Sequence, residues 1–374
     1  MLEPRQSQRP PWQWSGIRCR LHRVLKQPAL GLAASALVIA ASLGFVAIFP
    51  AAKFLGSVTY CLMCIIPMEI VIGVTWGCKQ PGFAAKRAQP VKGLLLALLT
   101  GIIGVAVVGA YFLAVGGGVR PISPMLMMCT IVSVIVTFWA AIIWGGWPFT
   151  TLIKSPIVAG LAMLAACYIV NYLLFRLFFN YEFMRGAPAY VPSLDPHGLF
   201  NANLALVFYV TALGIMFLML HFDLWPLTNF SGVMKQPVLG LVWTAICIIL
   251  GGIVFYAGMI LMAMDPLQFM VRVPIPFIFG TIIVLNMLQG SLFAKHAQPL
   301  KGILSAAAAA AIGLALALLY GALAPAVSGE LAPGPPGNDF ERWLASALLG
   351  VTFPFLIFYA EFFEFWPLKK PAAH

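Results

Sequence analysis

Gln27-Pro28-Ala29-Leu30-Gly31 stands at the head of an apolar run long enough to cross a bilayer, and the phrase recurs along the chain. Its copies are Gln89-Pro90-Val91-Lys92-Gly93, Gln236-Pro237-Val238-Leu239-Gly240, Gln298-Pro299-Leu300-Lys301-Gly302 and the longer variant Ser155-Pro156-Ile157-Val158-Ala159-Gly160. Each opens a further apolar run. Proline in a first helical turn lacks only an N–H that would be unpaired there, and its ring presets the helical dihedral. Gln or Ser before it can cap, and the following Gly lets a neighbouring helix approach closely. Recurrence of such a phrase predicts an array of similar helical hairpins.

Composition gives the class. The chain is 62% hydrophobic and only 9% charged, against about 25% charged in soluble domains. Its mean hydropathy is +0.97. This reads as an all-α integral membrane protein. Runs of about 20 residues, the length that crosses roughly 30 Å of hydrocarbon, fall at 28–49, 57–77, 91–115, 125–146, 156–179, 202–224, 237–262, 275–294, 300–323 and 343–365. These are ten expected spans. Pro274 and Pro276 sit at the start of the eighth, and Asn286 and Gln289 interrupt it.

The net charge of +11 could suggest nucleic acid, but its placement decides otherwise. With spans alternating, sixteen of the 22 Lys and Arg fall on the side of the termini, and six (Lys53, Arg120, Arg176, Arg185, Arg272 and Arg342) fall on the other. The positive-inside rule then makes both termini cytoplasmic, in the inner membrane of a bacterium. The natural partner of this excess is the anionic headgroup layer on the cytoplasmic side, not nucleic acid. The first run, of about 22 residues, is too long for the apolar core of a signal peptide and reads as a retained helix.

An offset of 209 residues relates Lys26 to Lys235, Gln89 to Gln298 and Pro67 to Pro276. Spans one to four and seven to ten therefore read as duplicates in one orientation. Trp147-Pro148 and Trp366-Pro367 are 219 apart, which places ten extra residues in the Gly- and Pro-rich stretch 324–341. The expected organisation is a basic N-terminal segment (1–25), a first four-helix repeat (26–148), a central hairpin with a long periplasmic loop (154–226), a second repeat (235–367) and a tail (368–374). Residues 180–201 read as an ordered lid or docking surface, and 324–341 as a flexible loop.

Chemistry-bearing clusters are sparse; no enzyme is expected, and the sequence assigns no cofactor-binding or metal residues and leaves the cofactor unknown. The seven cysteines lie in spans or on the cytoplasmic side, which argues against periplasmic disulfides. Cys61 and Cys64 share a helical face, but the positions 209 further on are Met270 and Val273. Met216, Met219 and His221 could begin a soft-metal path, yet Met259, Met262 and Met264 lie at the opposite end of the next span.

Intramembrane ionisable groups are the strongest pointers, because a carboxylate in hydrocarbon costs several kcal/mol unless it faces protein or water. Glu69 follows Pro67 and lies about 12 Å inside the cytoplasmic end of its span. Glu361 lies one turn inside Trp366, and Asp223 and Glu364 are placed to reach headgroups. Asn286 and Gln289 read as i, i+3 neighbours on one face, and Asn171 as a pore-facing polar group of the fifth span, with Arg176 free to extend outward. The candidate polar path is Glu69, Asn171, Asn286, Gln289 and Glu361.

A secondary transporter for a small solute, proton- or cation-coupled through Glu69, fits duplicated hairpins with a buried carboxyl. A non-catalytic subunit or assembly factor that docks a membrane or periplasmic partner fits the low polar content. An intramembrane enzyme lacks a convincing constellation.

Overall fold

A computed structural model describes residues 25–369, apart from 78 and 336. The basic segment through residue 24 (with Arg5, Arg9, Arg18, Cys19, Arg20 and Arg23), Cys78, and the tail from Lys370 lie outside the described residues.

Among the described residues ten helices are long and apolar enough to cross a membrane: α1 Ala29–Val46, α2 Ala51–Trp76, α3 Val91–Ala114, α4 Pro124–Ile143, α5 Pro156–Phe178, α6 Ala202–His221, α7 Val238–Leu261, α8 Pro266–Met287, α9 Leu300–Ser328 and α10 Asp339–Phe362. This is a multi-pass membrane protein. The largest departure from expectation is α8. Asp265 caps its first turn by accepting from the N–H groups of Leu267 (3.0 Å) and Gln268 (3.1 Å), with Pro266 at the first helical position. The helix therefore begins nine residues earlier than the expected 275, and Pro274 and Pro276 lie within the span. Helix α9 runs on through Pro325 to Ser328, so the first part of the stretch expected as a loop is helical.

Burial sorts the helices into two layers. The even-numbered helices have 61–72% of their spanning residues buried and the odd-numbered ones 22–39%, so the even set forms an inner ring and the odd set an outer one. Around the inner ring α2 contacts α4, α4 contacts α6, α6 contacts α8, α8 contacts α10 and α10 returns to α2. Each outer helix lies over two inner ones: α1 over α8 and α10, α3 over α2 and α10, α5 over α2 and α4, α7 over α4 and α6, and α9 over α6 and α8. Helices α5 and α6, expected as a central hairpin, meet through the short parallel pairing of β1 (Phe179–Asn180) with β2 (Phe200–Asn201) and flank a cavity along their lengths.

The Gln-Pro phrase acts as a latch between layers, at the end of the molecule that carries Lys79, Lys154, Lys235 and Lys295, here called the basic end. The Nε2 groups of Gln27, Gln89, Gln236 and Gln298 donate to the carbonyl oxygens of Met287 (2.9 Å), Phe362 (2.7 Å), Ile143 (2.8 Å) and His221 (3.1 Å). Each acceptor closes an inner helix. The same glutamines accept at Oε1 from the N–H of Gly31, Gly93, Gly240 and Gly302, at 3.0–3.2 Å. One amide thus satisfies an orphan donor of its own helix and an orphan acceptor of another. The glycines lie directly against Leu288, Phe363, Trp144 and Phe222, the residues that follow the accepting carbonyls, and Gly160 lies likewise against Trp76. A side chain at any of these five positions would overlap its neighbour.

Four of the five inner helices, α2, α4, α8 and α10, widen in their last turns to i→i+5 hydrogen bonding, as in Trp144 N–H to Trp139 O (3.2 Å), Leu288 N–H to Ile283 O (2.8 Å) and Phe363 N–H to Phe358 O (2.9 Å), whereas α6 stays α-helical to His221. A pair of left-handed residues follows at Gly145-Gly146, Asp223-Leu224, Gln289-Gly290 and Glu364-Phe365, and Gly77 after α2 is likewise left-handed. A positive φ is costly for Leu and Phe, and burial offsets it, with Leu224 0% and Phe365 3% exposed.

Helices α8 and α9 approach more closely than side chains would permit. A Cβ on Gly280 would overlap the Ala309 carbonyl oxygen, and one on Gly313 the Pro276 carbonyl oxygen. The alanine run Ala306–Ala311 supplies the smooth face this needs. Replacing Gly280 by Leu forces backbones apart and is expected to cost about 3 kcal/mol or more. Gly44→Leu, whose Cβ meets open space, is expected to leave the unfolding midpoint in detergent near that of the parent protein.

Candidate functional site

The inner ring encloses a small apolar seal. A cavity of about 30 Å³ is lined from all five inner helices, by Ile66 of α2, Val134 and Phe138 of α4, Leu213 of α6, Ile278 of α8 and Phe353 of α10, among others. It carries no polar lining, so although about 30 Å³ is room enough for a water, no group there would hold one. The axis is closed at this level.

Polar groups gather on the basic side of the seal by helical spacing. Glu69 lies three residues from Ile66, on one face and nearly one turn toward the basic end. It is 0% exposed, and neither carboxyl oxygen has a hydrogen-bond partner among the described residues. Pro67 lies within the same helix and removes a backbone N–H just before it. Glu361 lies eight residues, about two turns, beyond Phe353, and its Cγ sits 3.2 Å from where a Cβ of Gly73 would stand. Gly73 is one turn beyond Glu69, so the absence of a side chain there admits Glu361 against α2. Asn286 lies two turns beyond Ile278, 5% exposed, with its Nδ2 unpartnered among the described residues. Three of the five expected path residues thus project from faces that also carry the seal.

The other two stand elsewhere. Asn171 is fully buried, and its Nδ2 donates to Tyr111 Oη (2.7 Å) and the Cys129 carbonyl (3.0 Å). It ties α5 to α3 and α4 and faces no cavity lining, contrary to the pore-facing expectation. Gln289 is exposed and lies beyond the end of α8 at φ 52°, so it does not share a helical face with Asn286. The widened last turn and left-handed pair, which spacing does not reveal, end that helix at Met287.

Asp223 and Glu364 pair with lysines of the latch phrase, partners that sequence spacing did not suggest, Asp223 with Lys301 at 2.6 Å and Glu364 with Lys92 at 2.5 Å. Where the phrase carries Leu30 or Leu239 in place of Lys, the opposing residue is Gln289 or Gly145, so side-chain types match across these contacts. His221 is likewise structural. Its Nδ1 pairs with Ser305 Oγ (2.7 Å) and its Nε2 with Thr281 Oγ1 (2.9 Å), which joins α6 to α9 and α8 and leaves neither nitrogen free for a metal. Cys61 is exposed and Cys64 buried. Among the described residues no group of three or more His, Cys, Asp and Glu could hold a metal ion.

At the opposite end the segment 179–201 is ordered around Asp195. This carboxylate, 4% exposed, accepts from the Tyr181 and His197 backbone N–H groups (3.2 and 2.9 Å) and from Tyr190 Oη (3.0 Å). Burial raises the Tyr181 phenol well above its ordinary value, and burial followed by the Asp195 contact raises that of Tyr190.

Sequence reasoning missed a large void. A cavity of about 810 Å³, almost wholly apolar, runs between α5 and α7 over α4 and α6. The available signal was a set of small residues, Ala140, Ala166, Ala205 and Ala212, at positions that a packed interior fills with larger ones.

Removing the hydrogen bonds of a buried interhelical amide is expected to cost about 1–3 kcal/mol. Asn171→Leu should therefore lower the unfolding midpoint, and Gln289→Ala, at an exposed position, should not. Equal midpoints for the two would contradict the assignment of Asn171 to packing.

In comparisons with protein-family models, curated proteins and solved structures, nothing matches this chain.

Proposed function

We propose that the protein is a secondary transporter of the inner membrane for a small solute, with Glu69 as the group that exchanges a proton or a cation. The observation that carries this reading is the position of Glu69: fully buried inside a closed ring, one turn from the axial seal, with both oxygens unpartnered among the described residues. A lone buried charge costs several kcal/mol. The described residues supply no partner that would offset it, and a mobile proton or cation would. Glu361 and Asn286 extend the polar surface toward the basic end. The seal of Ile, Val, Leu and Phe is the kind of constriction that gates by excluding water. The reading performs no covalent chemistry and places both termini and the basic end in the cytoplasm. It also takes the five latch contacts as marks of five related helical hairpins, four of them arising by duplication of spans one to four.

A second reading is favoured by the sealed axis and by the structural use of Asn171, His221, Asp223 and Glu364. These are what a non-catalytic membrane subunit or assembly factor needs, with segment 179–201 as its docking surface.

Proteoliposomes carrying a pH dye in the lumen, challenged with a panel of small solutes, separate the two. Solute-dependent proton movement by the parent protein and its loss in Glu69→Gln are the expected results. Opening the seal with Ile278→Asn should produce a leak of protons without solute. No movement with any solute, no leak in Ile278→Asn, and co-purification with a fixed companion would overturn transport in favour of the subunit.

A further inference from the structure

The cavity between α5 and α7 lies outside the ring axis and takes no part in the Glu69 site. It is walled by α4 and α6 behind and by α5 and α7 at the sides. Along α5 it reaches from Met163 to Phe178, fifteen residues or about 22 Å. That exceeds one leaflet of a hydrocarbon core about 30 Å thick. Several lining residues, Val170, Leu204 and Ile248 among them, are exposed at the molecular surface, so the cavity opens sideways into the bilayer. Its lining is apolar almost throughout, and the Trp139 indole in its wall is turned to Thr244 Oγ1 at 3.0 Å, spanning α4 and α7. An indole pair, Trp144 and Trp147 at 5.7 Å, stands at the basic end of the lining.

Charge at that end is unbalanced. Lys154 lies two residues before the start of α5 and Lys235 three before that of α7, the two helices that flank the cavity, and both are exposed. Neither has a carboxylate within ion-pair distance among the described residues, whereas Lys92 and Lys301, at the starts of α3 and α9, each have one. The outer layer thus parts between two helices whose leading lysines meet no acid among the described residues.

We propose that this cavity is a binding site for an anionic phospholipid, with acyl chain between α5 and α7 and headgroup phosphate between Lys154 and Lys235. The chain's length and the indole belt at headgroup depth match such a ligand along its whole length. A neutral lipid would fill the cavity but leave the lysines unmatched. A transmembrane helix of a partner, about 10 Å across, would have to displace the Phe178 and Phe200 rings, which stack at 5.8 Å in the lining at the far end.

The test is native mass spectrometry of the full-length protein extracted from nanodiscs of equimolar phosphatidylglycerol and phosphatidylcholine. The parent protein is expected to retain phosphatidylglycerol in preference by about tenfold, within what two lysines at an anionic surface provide. Lys154→Gln with Lys235→Gln should remove the preference while keeping a bound lipid. Ala166→Phe with Ala205→Phe should remove the bound lipid altogether. A second measurement does not depend on the variants folding: phosphatidylglycerol brominated on its chains should quench the parent protein's tryptophan emission more strongly than the brominated phosphatidylcholine. Equal retention and equal quenching for the two lipids, no retained lipid, or a retained polypeptide in place of lipid would each overturn the proposal. Because retention is read without transport, failure of solute uptake leaves this assignment standing, and loss of lipid with uptake intact removes it alone.

Discussion

The contact on which the rest of the architecture depends is a side-chain amide at the first turn of an outer helix, set against the last carbonyl of an inner one. A helix end in hydrocarbon or at its edge presents carbonyls that no water satisfies. The four latch glutamines each meet one such carbonyl and one N–H of their own helix, and a glycine one turn on lets the two ends touch. Each bond is worth only about 1 kcal/mol net. Leaving its two groups unpaired would cost more, which gives the contact its directing power. Because the helix that is latched is never the one that follows directly in sequence, the contacts draw the ten helices into a closed double ring.

Closure explains both candidate sites. Five inner helices pointing Ile, Val, Leu and Phe at a common axis leave room for almost nothing there. A carboxyl, Glu69, stands one turn from that seal, and the glycine at 73 admits Glu361 against the same helix. The outer ring is less complete. Between α5 and α7 small alanines replace filling side chains, and the void opens to lipid instead of to the axis. The molecule thus separates a dry, sealed centre with unpaired polar groups from an apolar flank built for contact with chains of the bilayer.

Much of this was legible in the sequence because membrane spans announce themselves by length and hydropathy. All ten helices fall where apolar runs of about twenty residues stand. The latch phrase was legible as a helix start, but not its partner, since the distance from Gln27 to Met287 in sequence carries no signal of proximity. Asp223 and Glu364 were visible as a repeated acid, and only the fold brings Lys301 and Lys92 to them. The start of α8 was misplaced because two prolines look like a boundary, whereas Asp265-Pro266 supplies the real one. Gln289 was misassigned to the helix because left-handed residues after a widened turn leave no periodicity to read. Glu69 stood out in the sequence for the cost of its charge, and its isolation in the structure restates that cost. The cavity was illegible because absence of volume is a property of facing residues from four helices.

Ring closure between the first and eighth helices is the central structural claim, and disulfide trapping in native membranes tests it directly. With the native cysteines replaced, Gly31→Cys paired with Leu288→Cys brings together positions whose side chains meet, a Cβ on Gly31 standing 2.7 Å from Leu288 Cδ2. Mild oxidation is predicted to link this pair and to leave Gly31→Cys with Phe363→Cys unlinked, since Phe363 lies against Gly93 instead. Linkage of the second pair without the first would contradict the order of helices on which the sealed axis and the lipid-facing cavity both rest.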